Sequence, residues 1–179
     1  MKKTLLALTL GLASTSAFAN TGPIHFEGKI TASTCPITIV NPEDGMPGSL
    51  VRMGSVDASL FTGPGQEQTG SGFILRIPGG GACGVTPDSK ANVIFQGGAD
   101  DTGDFFTVTP PTAGGAENVV IVIRDKDNTA IAPNIVSPDY ELNDTGVTDL
   151  RFDAYYRSTT ASVTAGAASA TVQFIVDII

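Results

Sequence analysis

The sequence predicts an all-β domain built as an antiparallel β-sandwich, and three observations predict it. Short runs rich in Val, Ile and Phe recur along the chain, divided by clusters of Gly, Pro, Asn and Asp. Beyond the first twenty residues no stretch spaces its apolar side chains at a helical period, and strong helix formers are scarce. The composition includes 21 Gly and 11 Pro but no Trp, which suits many tight turns. β-branched and aromatic side chains fit a pleated, half-buried surface, while Gly and Pro supply the backbone angles of turns. Strand signals roughly every 10 to 20 residues, with no helices between them, are the pattern of a sandwich.

The elements follow in order. Ile24 to Val40 reads as extended, interrupted by Pro36, and Asn41-Pro42-Glu43-Asp44-Gly45 makes the next turn. Ser49 to Val56 is a second strand candidate, and Thr62 to Gly72 a Gly- and Gln-rich loop. Phe73 to Ile77 is a third strand, ended by Pro78 and the glycines 79–81. Ala91 to Gln96, Asp104 to Thr109 and Val119 to Arg124 follow, the last leading into a hairpin turn at Asp125-Lys126-Asp127-Asn128. Leu150 to Arg157 and Ala170 to Ile178 complete the series.

The N-terminus is of another kind. Met1-Lys2-Lys3 precedes an apolar run from Leu5 to Leu12 and small residues ending in Ala17-Phe18-Ala19. A positive n-region, a short h-region and an A-x-A site are the parts of a secretory signal peptide. The apolar run is too short for a bilayer, which needs about 20 apolar residues, and no later segment is a transmembrane candidate. Residues 1–19 are expected to be removed before Asn20, leaving 160 residues (179 − 19), enough for one domain with a substantial core. Loss of Lys2 and Lys3 takes the net charge from −8 to −10. Such a surface repels phosphate backbones, so nucleic acid and anionic lipid are not expected partners.

Cys35 and Cys83 are the 2 cysteines, both in the exported part. Export favours one disulfide, which would close a loop of about fifty residues and stabilise by about 4 kcal/mol on the loop-entropy view. The alternatives are a metal site or a catalytic thiol, and two thiols without nearby histidines make neither a zinc cage nor a Cys–His pair.

Both ends carry alternating apolar rows. Gly22, Ile24, Phe26, Gly28 and Ile30 share one face of an extended chain, with Pro23, His25, Glu27 and Lys29 on the other. Leaving Ile24 and Phe26 in water costs roughly 1.5–3 kcal/mol each relative to burial. At the other end Val172, Phe174, Val176 and Ile178 form a second row, with Ile175 and Ile179 opposite. Termini ordinarily fray and are polar, so something is expected to hold this strand at its tip.

Gly28-Lys29-Ile30-Thr31-Ala32-Ser33-Thr34-Cys35-Pro36-Ile37 resembles the opening of chaperone–usher fimbrial subunits of the type 1 pilin family. Val51-Arg52-Met53-Gly54-Ser55-Val56 is similar to that family's second strand, and Gly72-Phe73-Ile74-Leu75 to the strand before its second cysteine. Val120 to Ile131 resembles a later hairpin. Phe152-Asp153-Ala154-Tyr155-Tyr156, Ala165 to Ala170 and Phe174 resemble the closing segment. The resemblance spans essentially the whole exported chain.

It implies an immunoglobulin-like sandwich lacking its final strand, completed by a donor strand from another subunit, the β-strand addition known from pilins. On that reading residues 20–30 are a donor-strand extension and 31–179 the pilin domain. The donor face is Gly22, Ile24, Phe26, Gly28 and Ile30, with Gly28 opposite a shallow pocket. Val172, Phe174, Val176, Ile178 and Ile179 would flank the acceptor groove and bind a periplasmic chaperone. Position 178 is Ile where the family commonly has Tyr. The implied partners are other copies of the chain, the chaperone, an outer-membrane usher, minor pilins and a tip adhesin. The implied location is an extracellular fimbria reached through the periplasm, supporting cell adhesion.

Catalysis and cofactors are not expected. His25 is the 1 histidine and lies on the outer face of the donor row, with no nucleophile pattern around it. Counted from Asp125, the sixth and twelfth positions of a calcium loop would be Ala130 and Val136 rather than Gly and Glu. Asp100, Asp101 and Asp104 form only a small acidic cluster. Gly79-Gly80-Gly81 lacks the Lys-Ser/Thr of a phosphate loop, and Asn143-Asp144-Thr145 is a bare sequon. The rival readings are a minor or tip pilin, a pilus-borne binding module, or a self-complete secreted immunoglobulin-like protein in which residues 22–30 pair within their own chain.

Overall fold

The structure, a computed structural model, describes residues 35–179. The expected signal peptide and the expected donor-strand extension with its face at Gly22, Ile24, Phe26, Gly28 and Ile30 lie outside the described residues. The strands are β1 (Thr38–Val40), β2 (Glu67–Ile77), β3 (Lys90–Gln96), β4 (Phe106–Thr107) and β5 (Val119–Asp125). Then come β6 (Ala130–Ile131), β7 (Tyr140–Glu141), β8 (Thr148–Ser158) and β9 (Gln173–Ile178). Helix is confined to three single 3₁₀ turns among the described residues, at Ala58–Leu60, Gly80–Ala82 and Pro111–Ala113.

The strands form two sheets. One runs β1-β2-β8-β5-β4, with β6 hydrogen-bonded to β5, and the other runs β7-β3-β9. Every strand pair is antiparallel. The core lies between the sheets, where side chains of alternate residues meet: Phe73, Leu75 and Ile77 from β2, Leu150, Phe152 and Ala154 from β8, Ala91, Val93 and Phe95 from β3. Phe152 sits at its centre, 5.4 Å from Phe73, 5.0 Å from Phe95 and 5.7 Å from Tyr140 between ring centroids. Such edge-to-face and offset contacts add to the burial energy of the rings.

The expected strands are largely where the alternation put them, and the departures have local causes. β2 begins at Glu67, inside the stretch read as a Gly-rich loop. A Cβ at Gly70 would overlap the Tyr155 ring, so glycine is what lets β8 lay that ring across the strand, next to a bulge between Gln68 and Gly70. Within Ile24–Val40 the described ladder covers Thr38–Val40, and Asp104–Thr109 shrinks to Phe106–Thr107. Asp100 takes up what precedes β4, its Oδ1 accepting from the Asp104 and Phe105 N–H groups. β7 was not foreseen, having two residues between loops. The turn after β5 is as expected: Asp125 Oδ1 accepts from the Asp127 and Thr129 N–H groups, and Asn128 takes φ 62°.

The outer face of the larger sheet is charged. Glu67 accepts from Arg124 at 2.6 Å and from Arg157 at 2.9 Å, and Arg76 pairs bidentately with Asp149. Partial burial by itself would raise the Glu67 carboxyl. The hydrogen bonds and charges of Arg124 and Arg157 together outweigh it and hold the group below the ordinary glutamate range. A depressed carboxyl stabilises the fold at neutral pH, and that contribution disappears as pH falls through the folded-state value. We expect Glu67→Gln to lower stability by roughly 1 kcal/mol at pH 7 and to flatten the acid limb of melting temperature against pH below about 4.5. An unchanged acid limb would show that Glu67 is not coupled to folding.

Tyr140 is 5 % exposed, and its hydroxyl has only a weak interaction with Ser137 and no well-formed hydrogen bond among the described residues. Burial pushes its ionisation far above the ordinary tyrosine value. A buried hydroxyl without a well-formed hydrogen bond costs about 1–3 kcal/mol of desolvation, so Tyr140→Phe, which keeps the ring against Phe152, is expected to raise the melting temperature by a few degrees, roughly. A drop measured by calorimetry would mean the hydroxyl is satisfied.

Candidate functional site

Two strands of the smaller sheet differ in a way that marks the site. Ala91, Val93 and Phe95 on β3 are 0 %, 0 % and 3 % exposed. Their ladder partners Ile178, Val176 and Phe174 on β9 face the same way yet are only half-buried. β9 is the last strand of its sheet among the described residues, and nothing in the described chain lies beyond it to cover that face.

The backbone of β9 has the same one-sided character. Lys90 and Ile179 exchange both hydrogen bonds, N–H to O at 2.8 Å each way. In an antiparallel ladder such pairs alternate, so residues 179, 177, 175 and 173 bond to β3. The N–H and C=O groups of Val172, Phe174, Val176 and Ile178 therefore point away from β3, toward the open edge. The residues whose side chains face the core are the ones that offer their backbone to a further strand.

Across from this edge lies an extended segment, residues 49–55, which joins no ladder among the described residues. Val51 and Met53 turn inward against the core while Leu50, Arg52 and Gly54 are exposed. The space between it and β9 is a groove of about 590 Å³. Its floor is the central core itself, Phe73, Leu75, Phe95, Ile121, Ile123 and Ala154, and Arg52 is the charged side chain in its lining. One end is shaped by the crossover from β8 to β9. There Ala167 and Thr164 bridge to Gly115 and Glu117, and a Cβ at Gly166 would run into the Gly115 backbone. Glycine at 166 lets two backbones touch and pins the crossover beside the groove mouth.

The sequence-derived site residues fall as follows. Phe174, Val176 and Ile178 share the inward face of β9, Val172 just before it packs against the same core, and Val172 and Phe174 line the groove directly. Ile179 is 64 % exposed, and its backbone shows what holds the strand at its tip: Lys90 of the same chain. Cys35 and Cys83 are joined, with Cα atoms 4.3 Å apart, tying the start of the described chain to the turn after β2. Ser49–Val56, expected as a strand, joins no ladder among the described residues and walls the groove instead. The alternation of Val51 and Met53 with Arg52 was the available signal, but it gives no hint that the neighbour is absent. The floor residues were legible as core and not as site, because being exposed to a groove is a property of what fails to cover them.

What this arrangement does is bury apolar side chains and accept a β-strand along an unpaired edge. Among the described residues its lining carries Arg52 as the ionisable side chain apart from the half-buried Tyr156.

Comparison with known proteins agrees with this geometry. A family model described as fimbrial protein matches residues 24–178. The probable major fimbrial subunit LpfA of Escherichia coli O157:H7 is 36 % identical over 179 residues, covering 97 % of this chain and 95 % of that one. Among solved structures, a Burkholderia pseudomallei antigen and type I fimbria protein is similar at 27 % identity and TM-score 0.58, covering 79 % of this chain and 93 % of that one. The P pilus rod subunit PapA shares the fold at 16 % identity and TM-score 0.63, covering 82 % of this chain and 99 % of that one.

Proposed function

The chain belongs to the fimbrial protein family, and from that membership we propose that it polymerises by laying residues 22–30 of one copy into the groove of the next. It is a structural pilin of a chaperone–usher fimbria and not an enzyme. The observation that carries the donor-strand reading is the open edge of β9, where half-buried apolar side chains and outward-pointing backbone groups occur at the same residues. A strand that fills this edge must have an apolar face in period two and backbone donors at those same positions.

Residues 22–30 meet both demands. Gly22, Ile24, Phe26, Gly28 and Ile30 form the apolar face, and Pro23 occupies the other parity. With the apolar face turned into the groove, the positions bonded to β9 are 24, 26, 28 and 30, all with an N–H. Pro23, which has none, falls at a position whose N–H would point away from β9. Slipping the segment by one residue would put Pro23 in the ladder and Glu27 and Lys29 in the core. Two unrelated features of the sequence thus select one face.

Filling the groove with about five side chains could contribute on the order of 10 kcal/mol by area, before ordering costs. An unfilled subunit exposes an apolar groove and an unpaired edge, the hazard that drives edge-to-edge aggregation. A periplasmic chaperone that occupies the groove until an outer-membrane usher delivers the next subunit answers this hazard. On this reading Val172, Phe174, Val176, Ile178 and Ile179 meet the chaperone first and the incoming donor second. Ile178 is a smaller side chain than the Tyr common in the family and keeps the apolar register. Minor pilins and a tip adhesin would join the fibre through the same edge, giving it its role in adhesion at the cell surface.

Two experiments test the reading. Gly28→Asn, which puts a branched polar side chain on the groove face, is expected to abolish fibres while the chaperone-bound subunit stays folded; normal fibres in electron micrographs would refute the donor face. A chain lacking residues 20–28 is expected to accept a donor peptide but not to extend a fibre, and long fibres from it would refute the donor assignment.

A further inference from the structure

Residues 91–99, 129–138 and 158–176 carry no Asp, Glu, Lys or Arg, in a chain with 10 Lys and Arg and 18 Asp and Glu. The smaller sheet brings these three stretches together. Val136 bridges to Ile94, and Ile94 pairs with Ile175, so the three side chains form a row across one face. That face is the outer one, because Ala91, Val93 and Phe95 are the inward positions of β3, and none of the three belongs to the core between the sheets. Val136 is 52 % exposed and Ile135 next to it 58 %, while Ile94 and Ile175 are half-buried. The outer face of the larger sheet is filled instead by the ion pairs of Glu67 and Arg76.

We propose that this face packs on the same face of a second copy, about a two-fold axis lying along the Val136–Ile94–Ile175 row, and that the second copy belongs to another fibre, so that fibres associate side by side. The inference rests on the reading of the chain as a polymerising pilin and goes beyond it, since it concerns the face of β9 that donor pairing leaves free.

The residues flanking the row make the face match itself. Asn92 and Asp177 stand on one side of it, Gln96 and Gln173 on the other. An axis along the row exchanges the two flanks, so Asp177 of each copy meets Gln173 of the other and Asn92 meets Gln96. The one carboxylate of the patch then faces an amide that can donate to it, and the remaining amides have donors and acceptors to offer each other. Moving the axis to the Asn92–Asp177 level would set two carboxylates together and Lys90 against Ile94, so charge and apolar matching select the same axis. Copies within one head-to-tail fibre share a direction and are not related by a two-fold, so a face that matches itself pairs copies of different fibres.

The size of the contact explains why it belongs to fibres. Four apolar side chains and an amide rim fall well short of the roughly 20–30 residues a side of a standard interface, so two free subunits stay apart. A fibre repeats the face at every subunit, and repetition makes a weak contact effective. The formal net charge of −8 per chain drives neighbouring fibres apart except where charge is missing.

Fibres of the full chain are the test, viewed by electron microscopy and sedimented at low speed, which pellets bundles and leaves single fibres in solution. The unaltered chain is expected to give bundles. Val136→Lys, which charges the apolar row, and Gln173→Glu, which sets a carboxylate opposite Asp177, are expected to give single fibres and lose the pellet. Gln173→Glu combined with Asp177→Lys is expected to restore it. Positions 173 and 177 lie about 13 Å apart along their own strand, too far to pair within one copy, so the rescue reports a contact between copies. Single fibres from the unaltered chain, or bundles unchanged in both single variants, overturn the proposal and leave polymerisation standing. Loss in Gln173→Glu without rescue overturns the two-fold pairing. No fibres from the unaltered chain overturns the polymerisation reading itself.

Discussion

β9 has a sheet neighbour on one side only among the described strands, and the rest of the molecule takes its meaning from that. In an antiparallel ladder each strand residue turns its N–H and C=O to one side, so half the backbone of an edge strand faces outward. On most exposed edges those outward residues are flanked by charge or interrupted by bulges, which keep other strands away. On β9 they are Phe174, Val176 and Ile178, with Val172 just before it, all apolar and half-buried, and the sandwich core is the floor beside them. Polar side chains at 173 and 177 sit at the other parity. Such an edge is built to be occupied.

The body holds the groove open rather than letting it collapse. A gap of about 590 Å³ next to a core of Phe73, Phe95 and Phe152 would shrink if its walls could approach. The walls are fixed from behind. β2 and β8 pair over most of their eleven residues each, and β8 is flanked on its other side by β5, which makes a stiff floor. The crossover at residues 164–169 is hydrogen-bonded to Gly114, Ala116, Glu117 and Thr109, and so cannot fold inward onto β9. The disulfide ties Cys35 to the turn after β2 and so fixes the start of the described chain. The charged outer face, with Glu67 between Arg124 and Arg157, keeps the opposite side of the domain from presenting a second sticky surface.

This division of labour explains how a subunit can be both stable and incomplete. The central aromatic cluster is closed within the chain and supplies the fold. The edge strand remains chemically unfinished, with apolar side chains and backbone groups left for a further strand to cover. On the donor-strand proposal both halves of the joint lie in one sequence, so association would be head-to-tail and open-ended. A fibre is the geometric outcome.

The sequence by itself determined the β class, the positions of most long strands, the disulfide partners and the apolar face of the last strand. These depend on period-two alternation, turn residues and a cysteine count, all of which are local. It did not determine that Glu67–Gly72 would be strand, because a glycine-rich stretch becomes one only when Tyr155 arrives from eighty-odd residues away to cover it. Nor did it show that residues 49–55 wall a groove, since Val51 and Met53 alternate in the same way whether or not a neighbour is present. Alternation tells which side chains want to leave water; only the assembled sheets decide which of them succeed. Phe95 and Phe174 carry equal apolar promise in the sequence, yet one is 3 % exposed and the other half-covered, because β3 has a strand on each side and β9 does not.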